Sequence, residues 1–272
     1  MEEIKNWLTC NLQRLSLTSL TDDFHSYDSD IMQSFLNCSK RDLSQYGHNS
    51  TIPPATQLCL RRAHEQCLAS NIIILKLIRL RMRQAISLLP FFPNMKIVHL
   101  VRDPRAIVSS RQVVGLNNSI GFTEKDLIVE LCSQIHIDLS DTKFLMRLNP
   151  KMIKLVQYED LAEDPSKVTK DLYEFAGLKF DDKIERFVKN QTQANIDGCS
   201  FCTQRKNSTV ASLRWRFRIS FNDSQHIFNS CREIMSILGY VQFPDNETLR
   251  NVSIPCRRGH NVTATMMGDD RL

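Results

Sequence analysis

From Lys96 to Val101 the chain reads Lys-Ile-Val-His-Leu-Val, and it passes with no spacer into Arg102-Asp103-Pro104-Arg105 and then Ala106-Ile107-Val108-Ser109-Ser110-Arg111. A short run of β-branched and aliphatic residues is the mark of a strand covered on both faces. Asp103 suits a helix N-cap, and Pro104 suits the first helical position, where its missing N–H costs nothing. The join therefore brings a guanidinium and a helix N-terminus together at the carboxyl edge of a strand. In parallel α/β sheets that edge is where anionic ligands bind. Arg102 presents a planar fork that matches a phosphate, and Ser110, six residues past Pro104, adds a hydroxyl if the helix packs across the strand end. Two plainer readings stand beside this one: Arg102 and Asp103 form a structural ion pair, and Ser110 is a helix-surface serine.

Other segments repeat the alternation. Ile72-Ile73-Ile74-Leu75 and Met152-Ile153-Lys154-Leu155-Val156 read as two more strands, while Leu80 to Leu89, stopped by Pro90, and Thr123 to Leu148 read as helices. Asp164, Pro165 and Gly177 mark the cap, first residue and stop of another helix, with Val168, Leu172, Phe175 and Ala176 on its apolar face. Ile227, Phe228, Cys231, Ile234, Met235 and Leu238 fall at helical spacing between Asn222 and Leu238, closed by Gly239. Strand, helix, strand predicts an α/β fold with a parallel sheet. Residues 1–56, with scattered acids and Pro53-Pro54, show no dependable core, and beyond Phe243 three glycosylation sequons and mixed charge read as loop or disorder. The expected division is an ill-defined segment 1–56, a domain 57–241 and a tail 242–272.

The nine cysteines, an odd number and many for a cytosolic enzyme, make disulfides possible. Only Cys199 and Cys202 have the spacing of a zinc half-site, with no second pair to complete a tetrahedron, so no metal is expected. Cys59 and Cys67, eight apart, suit a local disulfide. Asn-x-Ser/Thr sequons begin at Asn37, Asn49, Asn117, Asn190, Asn207, Asn222, Asn246, Asn251 and Asn261, nine where chance placement gives about two. That excess favours a lumenal or secreted chain. No 18-residue stretch is uncharged and apolar, and the first 30 residues lack a signal-type apolar region, so no anchor or leader is expected within the chain.

The net charge of +5 is unevenly placed. Lys76 to Arg111 holds eight Lys/Arg against Asp103 alone, and Arg205 to Arg218 holds five with no acid, so the remainder is acidic. A fold that gathers both segments would suit one anionic ligand. The cations lack interleaved aromatics except near Trp215 and Phe217, so nucleic acid is not an expected partner. Nothing reads as the Walker loop of a nucleoside kinase.

Val101-Arg102-Asp103-Pro104-Arg105-Ala106, followed after three residues by Ser110-Arg111, resembles the 3′-phosphate motif of sulfotransferases that use 3′-phosphoadenosine 5′-phosphosulfate (PAPS). More narrowly, the chain is similar to the Golgi carbohydrate 6-O-sulfotransferases that act on galactose, N-acetylglucosamine or N-acetylgalactosamine. Cys59 and Cys67, Lys76 to Leu80, Tyr158 to Pro165, Phe175 to Leu178, Trp215 to Arg218, Cys231 and Leu238-Gly239-Tyr240 agree in order, and the likeness covers about residues 58–241.

The resemblance implies a P-loop-like three-layer sandwich around a parallel sheet, PAPS as co-substrate, and Arg102 and Ser110 on its 3′-phosphate. It further implies that Arg205, within Thr203 to Trp215, lies over the nucleotide. A glycan or proteoglycan acceptor, no metal, and a type II protein of the Golgi lumen follow, with membrane attachment only through an anchor outside this sequence. Tyr158 to Pro165 reads as a structural strand-to-helix connector. The family's first strand and its glycine- and Ser/Thr-containing loop around the 5′-phosphosulfate are expected to be missing, because none of the eight glycines stands between a strand and a helix beside such a cluster. Glu124, Asp126 and Glu130 follow the phosphate helix, but none is assigned as a general base. A catalytically inactive paralogue that binds nucleotide or glycan is the alternative reading.

Overall fold

A computed structural model of the chain describes residues 1–22, 29–46, 54–113, 124–199, 202–259 and 262–268. It divides into two compact units, Met1–Leu80 and Arg81–Leu272.

The first unit corrects the expectation of a coreless N-terminus. Helices α1 (Glu2–Leu8), α2 (Leu17–Thr21), α3 (Asp30–Tyr46) and α4 (Pro54–Leu68) are joined in part by a 3-10 turn at Leu12–Arg14. Leu12, Leu15, Leu20, Met32, Phe35, Cys59, Leu60 and Ala63 form their core. Met32 and Phe35 are one turn apart on α3, and Cys59, Leu60 and Ala63 share a face of α4, but the short helices in front supply too few turns for a periodic signal. Disulfides Cys10–Cys67 and Cys38–Cys59 tie the layers together. Cys59 and Cys67 are therefore not partners of each other. Both lie on α4, where eight residues at a rise of about 1.5 Å separate them by ~12 Å, about twice the span of a disulfide.

Ile72 to Leu75 are not a strand. Residues 71–80 carry no strand, and Ile74 and Ile78 are 79% and 66% exposed. A β-branched run favours extended backbone without supplying a neighbouring strand to pair with.

The second unit is mixed α/β. Helix α5 (Met82–Ile86) is shorter than expected because the ring of Pro90 conflicts with the carbonyl four residues before it. It docks through Asp138, which accepts from Arg81 Nε at 3.0 Å and the Met82 amide at 2.9 Å. Strand β1 (Ile97–Val101) leads into α6 (Pro104–Val113), then α7 (Glu124–Leu148), which carries Asp138, and β2 (Ile153–Gln157). β1 and β2 pair in parallel, from Ile97 opposite Ile153 to Val101 opposite Gln157, and make up the sheet among the described residues. β1 is not covered on both faces as expected, since Val98 and Leu100 are half exposed.

Helices α8 (Tyr158–Glu163), α9 (Pro165–Ala176) and α10 (Asp182–Thr192) follow. The signals for α9 hold: Asp164 Oδ1 caps Lys167 N–H at 3.1 Å, Pro165 opens the helix, and Gly177 ends it at φ 75°. The Leu178 amide reaches back to the Tyr173 carbonyl at 2.8 Å, a closure that needs the left-handed residue glycine supplies.

Helices α11 (Ser208–Leu213), α12 (Trp215–Arg218), α13 (Phe221–Ser230), α14 (Arg232–Ile237), α15 (Asn246–Arg250) and α16 (Val262–Gly268) complete the unit. The single helix expected between Asn222 and Leu238 is two, broken at Cys231, which bonds Cys132 on α7. Its apolar positions are nevertheless core, with Ile227, Met235 and Leu238 fully buried.

The expectation of a loose tail beyond residue 242 is also corrected. Phe243, Leu249, Cys256, Val262 and Met266 join the core of this unit. Their anchor is Arg216 on α12, fully buried, which donates to the carbonyls of Thr248, Leu249, Asn251 and Ile254 at 2.7 to 2.8 Å.

Candidate anion-binding site at the strand end

The register of the two strands builds the site. Because Val101 stands opposite Gln157, the residues that leave the strands, Arg102-Asp103 and Tyr158-Glu159, emerge side by side. The Arg102 guanidinium carbon lies 4.4 Å from the centre of the Tyr158 ring, a cation–π contact. Arg102 is half-buried, and its Nε is buried with no hydrogen-bond partner. A buried guanidinium N–H without an acceptor is costly, and an anion's oxygen would relieve that cost.

Asp103 is the N-cap that the sequence suggests: its Oδ1 accepts from the Arg105 amide at 2.9 Å. Its ion-pair partner is not Arg102 but Arg105, whose Nη2 lies 2.7 Å from Asp103 Oδ2, both side chains fully buried. Arg105 Nη1 also donates to the Val241 carbonyl at 2.8 Å. The Asp103 amide donates to Glu159 Oε1 at 3.1 Å, and Tyr240 O–H donates to Glu159 Oε2 at 2.7 Å. Two amides at the start of α6 are thus held by buried carboxylates, which corrects the expectation that they would face a ligand. Burial, then the neighbouring Asp103 carboxylate, pushes the Glu159 carboxyl above its usual range. The Arg105 guanidinium, paired with Asp103, offsets the Asp103 charge behind Arg102.

Ser110 stands exposed on α6, and its neighbour Ser109 is the buried one, 2% exposed. Six residues of helix place Ser110 ~9 Å along the axis from Pro104. Arg205 is half-buried in a separate loop, where its amide donates to the Gln191 carbonyl at 2.7 Å and its Nη1 to the Gln204 carbonyl at 2.6 Å. That loop leads to α11, whose Ser208 and Thr209 hydroxyls donate to the Ala162 carbonyl on α8, the helix that Tyr158 begins. The structure shows no direct contact joining Arg102, Ser110 and Arg205 among the described residues.

Of the residues considered as acids or bases, Asp126 and Glu130 are exposed on α7, and the Glu124 side chain lies outside the described residues. Cys199 and Cys202 are bonded to each other.

The two basic segments are less open than their charge implies. Arg81 pairs with Asp138, Arg83 with Asp141, Arg105 with Asp103 and Arg214 with Asp197. Arg216 is enclosed by carbonyls. Sequence reasoning gave Tyr158 and Glu159 a connector's place and Tyr240 only a place in the family likeness, with no part in the site. The available signal was that the two strand-ending motifs, Val101-Arg102-Asp103 and Gln157-Tyr158-Glu159, come into line once the strands are paired in parallel.

The profile of the Sulfotransferase family matches residues 22–182, more than half of the chain. Carbohydrate sulfotransferase 1 of Rattus norvegicus is 30% identical over 213 residues, covering 72% of this chain and 52% of that protein. Carbohydrate sulfotransferase 3 of Homo sapiens is 27% identical over 212 residues, covering 71% and 43%, and carbohydrate sulfotransferase 5 of Mus musculus is 28% identical over 237 residues, covering 76% and 59%. The chain spans about half the length of the curated relatives it matches. With its parallel strand pair and an arginine at the strand end, the chain belongs to the sulfotransferase family.

Proposed function

We propose that the chain carries the 3′-phosphate half of a PAPS site in a carbohydrate sulfotransferase. The observation that supports this most directly is Arg102, held at the carboxyl end of a parallel strand over Tyr158 with a buried N–H that has no partner. Such a group fits a phosphate oxygen. Arg102 is assigned to the 3′-phosphate, Ser110 to the same phosphate from the exposed face of α6, and Arg205 to the nucleotide. PAPS, when bound, supplies the activated sulfuryl group. What the protein adds in such a transfer is position and cationic stabilisation of charge.

The acceptor in this reading is a sugar hydroxyl of a glycan, the 6-position of galactose or N-acetylglucosamine, and the compartment is the Golgi lumen. The four disulfides support an oxidising lumen. Among the described residues no helix is long and apolar enough to cross a membrane.

The test is calorimetric titration of the chain with adenosine 3′,5′-bisphosphate, beside transfer of labelled sulfate from PAPS to a galactose- or N-acetylglucosamine-bearing acceptor. Arg102→Ala is expected to weaken nucleotide binding by roughly 2 kcal/mol, the scale for losing a charge-assisted contact. Equal affinity of wild type and variant would sink the site assignment. Binding without transfer would support the inactive-paralogue reading.

A further inference from the structure

Glu159 lies in a motif that reads from sequence as a connector, yet it is only 2% exposed and both its carboxylate oxygens are engaged. One accepts the amide of Asp103, the residue that follows Arg102, and the other accepts the hydroxyl of Tyr240, itself 4% exposed. Asp103 cannot turn to any other arrangement without losing the bidentate Arg105 guanidinium, and Arg105 in turn grips Val241 next to Tyr240. The turn that presents Arg102 is thereby tied at two neighbouring points to residues 240–241, far along the chain. Tyr158, whose ring carries the Arg102 guanidinium, directly precedes Glu159, so one short segment sets both the floor under Arg102 and the direction of the backbone leaving it.

We propose that Glu159 and Tyr240 are positioning residues for the anion site: the Tyr240 hydroxyl orients the Glu159 carboxyl, and Glu159 holds the Asp103 amide so that Arg102 faces its ligand over Tyr158. This inference rests on the reading of Arg102 as a phosphate ligand. It adds that the affinity of the site depends on a hydrogen bond from the C-terminal part of the unit. In Glu159→Gln the amide oxygen can still accept from the Asp103 amide, and the NH2 can donate to the Tyr240 phenol oxygen in place of the reversed bond, so an uncharged carboxamide keeps both links.

The experiment titrates adenosine 3′,5′-bisphosphate into the full chain and into Arg102→Ala, Glu159→Gln, Glu159→Ala and Tyr240→Phe, with thermal unfolding and circular dichroism on each. The expected results are a loss of about tenfold or more in affinity for Glu159→Ala, a smaller loss of about threefold for Tyr240→Phe, and rescue to within about twofold of wild type by Glu159→Gln, scaled to the net value of a hydrogen bond. A merely structural role would lower the melting temperature and leave the affinity of the folded fraction unchanged. Wild-type affinity in folded Glu159→Ala and Tyr240→Phe, or a Glu159→Gln as weak as Glu159→Ala, overturns the proposal while Arg102→Ala still validates the site. If wild type fails to bind, the phosphate reading falls and this inference falls with it. If Glu159→Ala does not fold, Tyr240→Phe decides alone, since it removes one oxygen from an otherwise intact core.

Discussion

Replacing Arg216 should unfasten the last part of the second unit. Its guanidinium is fully buried and makes four hydrogen bonds, to the carbonyls of Leu249 at 2.7 Å and of Thr248, Asn251 and Ile254 at 2.8 Å, with the Phe243 ring 4.5 Å from its central carbon. Burial pulls its pKa below the usual guanidinium value, and its charge is set among these carbonyl dipoles. In Arg216→Ala each orphaned carbonyl costs about 1 kcal/mol or more, which sets a loss near 4 kcal/mol. Recovering the desolvation cost of the charge trims that to about 3 kcal/mol. Arg216→Lys has three donors on one atom and satisfies at most three carbonyls from a different geometry, so about 1 to 2 kcal/mol is expected. Urea unfolding at unchanged m-value reads the loss, and limited proteolysis reads its location, with new cleavage expected between residues 244 and 259. An Ala variant that unfolds within about 0.5 kcal/mol of wild type, or that is cut elsewhere first, would refute the view that Arg216 anchors this segment.

Two further outcomes follow from the described geometry. His99, whose Nδ1 lies 2.7 Å from Thr142 Oγ1, is lowered by burial to about 4 from 6.5, so the unfolded chain binds its proton first. Its contribution is therefore complete above pH 6.5 and is lost as pH falls toward 4; thermal melts should show this acid limb, up to roughly 3 kcal/mol, and His99→Gln should flatten it. Six of the nine sequon asparagines fall on described residues, and Asn37, Asn190, Asn207, Asn222, Asn246 and Asn251 are all exposed. Full-length chain directed into the secretory pathway should therefore gain mobility on glycosidase treatment, and an unchanged band would count against the lumenal reading.

Where a signal is local, the sequence carried it. The run Ile97–Val101, the Asp103-Pro104 start, and the Asp164, Pro165 and Gly177 punctuation of α9 each depend on residues within one turn of one another. What failed depended on partners far along the chain. Ile72 to Leu75 have strand chemistry but no neighbouring strand to pair with. Cys59 pairs with Cys38 and Cys67 with Cys10, choices made by how helices stack rather than by spacing. The tail read as loose from its sequons and mixed charge, and the buried cation that holds Thr248 and Leu249 lies more than 30 positions earlier. At the site, Arg102 was legible as a strand-end cation, whereas Tyr158 and Glu159 acquire a role only through the pairing of Val101 with Gln157.

The pairing of the cysteines has a topological consequence. Cys10–Cys67 and Cys38–Cys59 close within residues 1–80, and Cys132–Cys231 and Cys199–Cys202 close within residues 81–272, leaving Cys256 buried with its thiol pushed up to about 12. Among the described residues no bridge crosses from one set to the other. During vectorial synthesis the first two loops can therefore lock while the second unit is still emerging, and each half can be oxidised without reference to the other. The exposed stretch 71–80 is then the sole covalent link: one nick there parts the protein into two bands on a denaturing, non-reducing gel, while a nick between Cys132 and Cys231 leaves a single band.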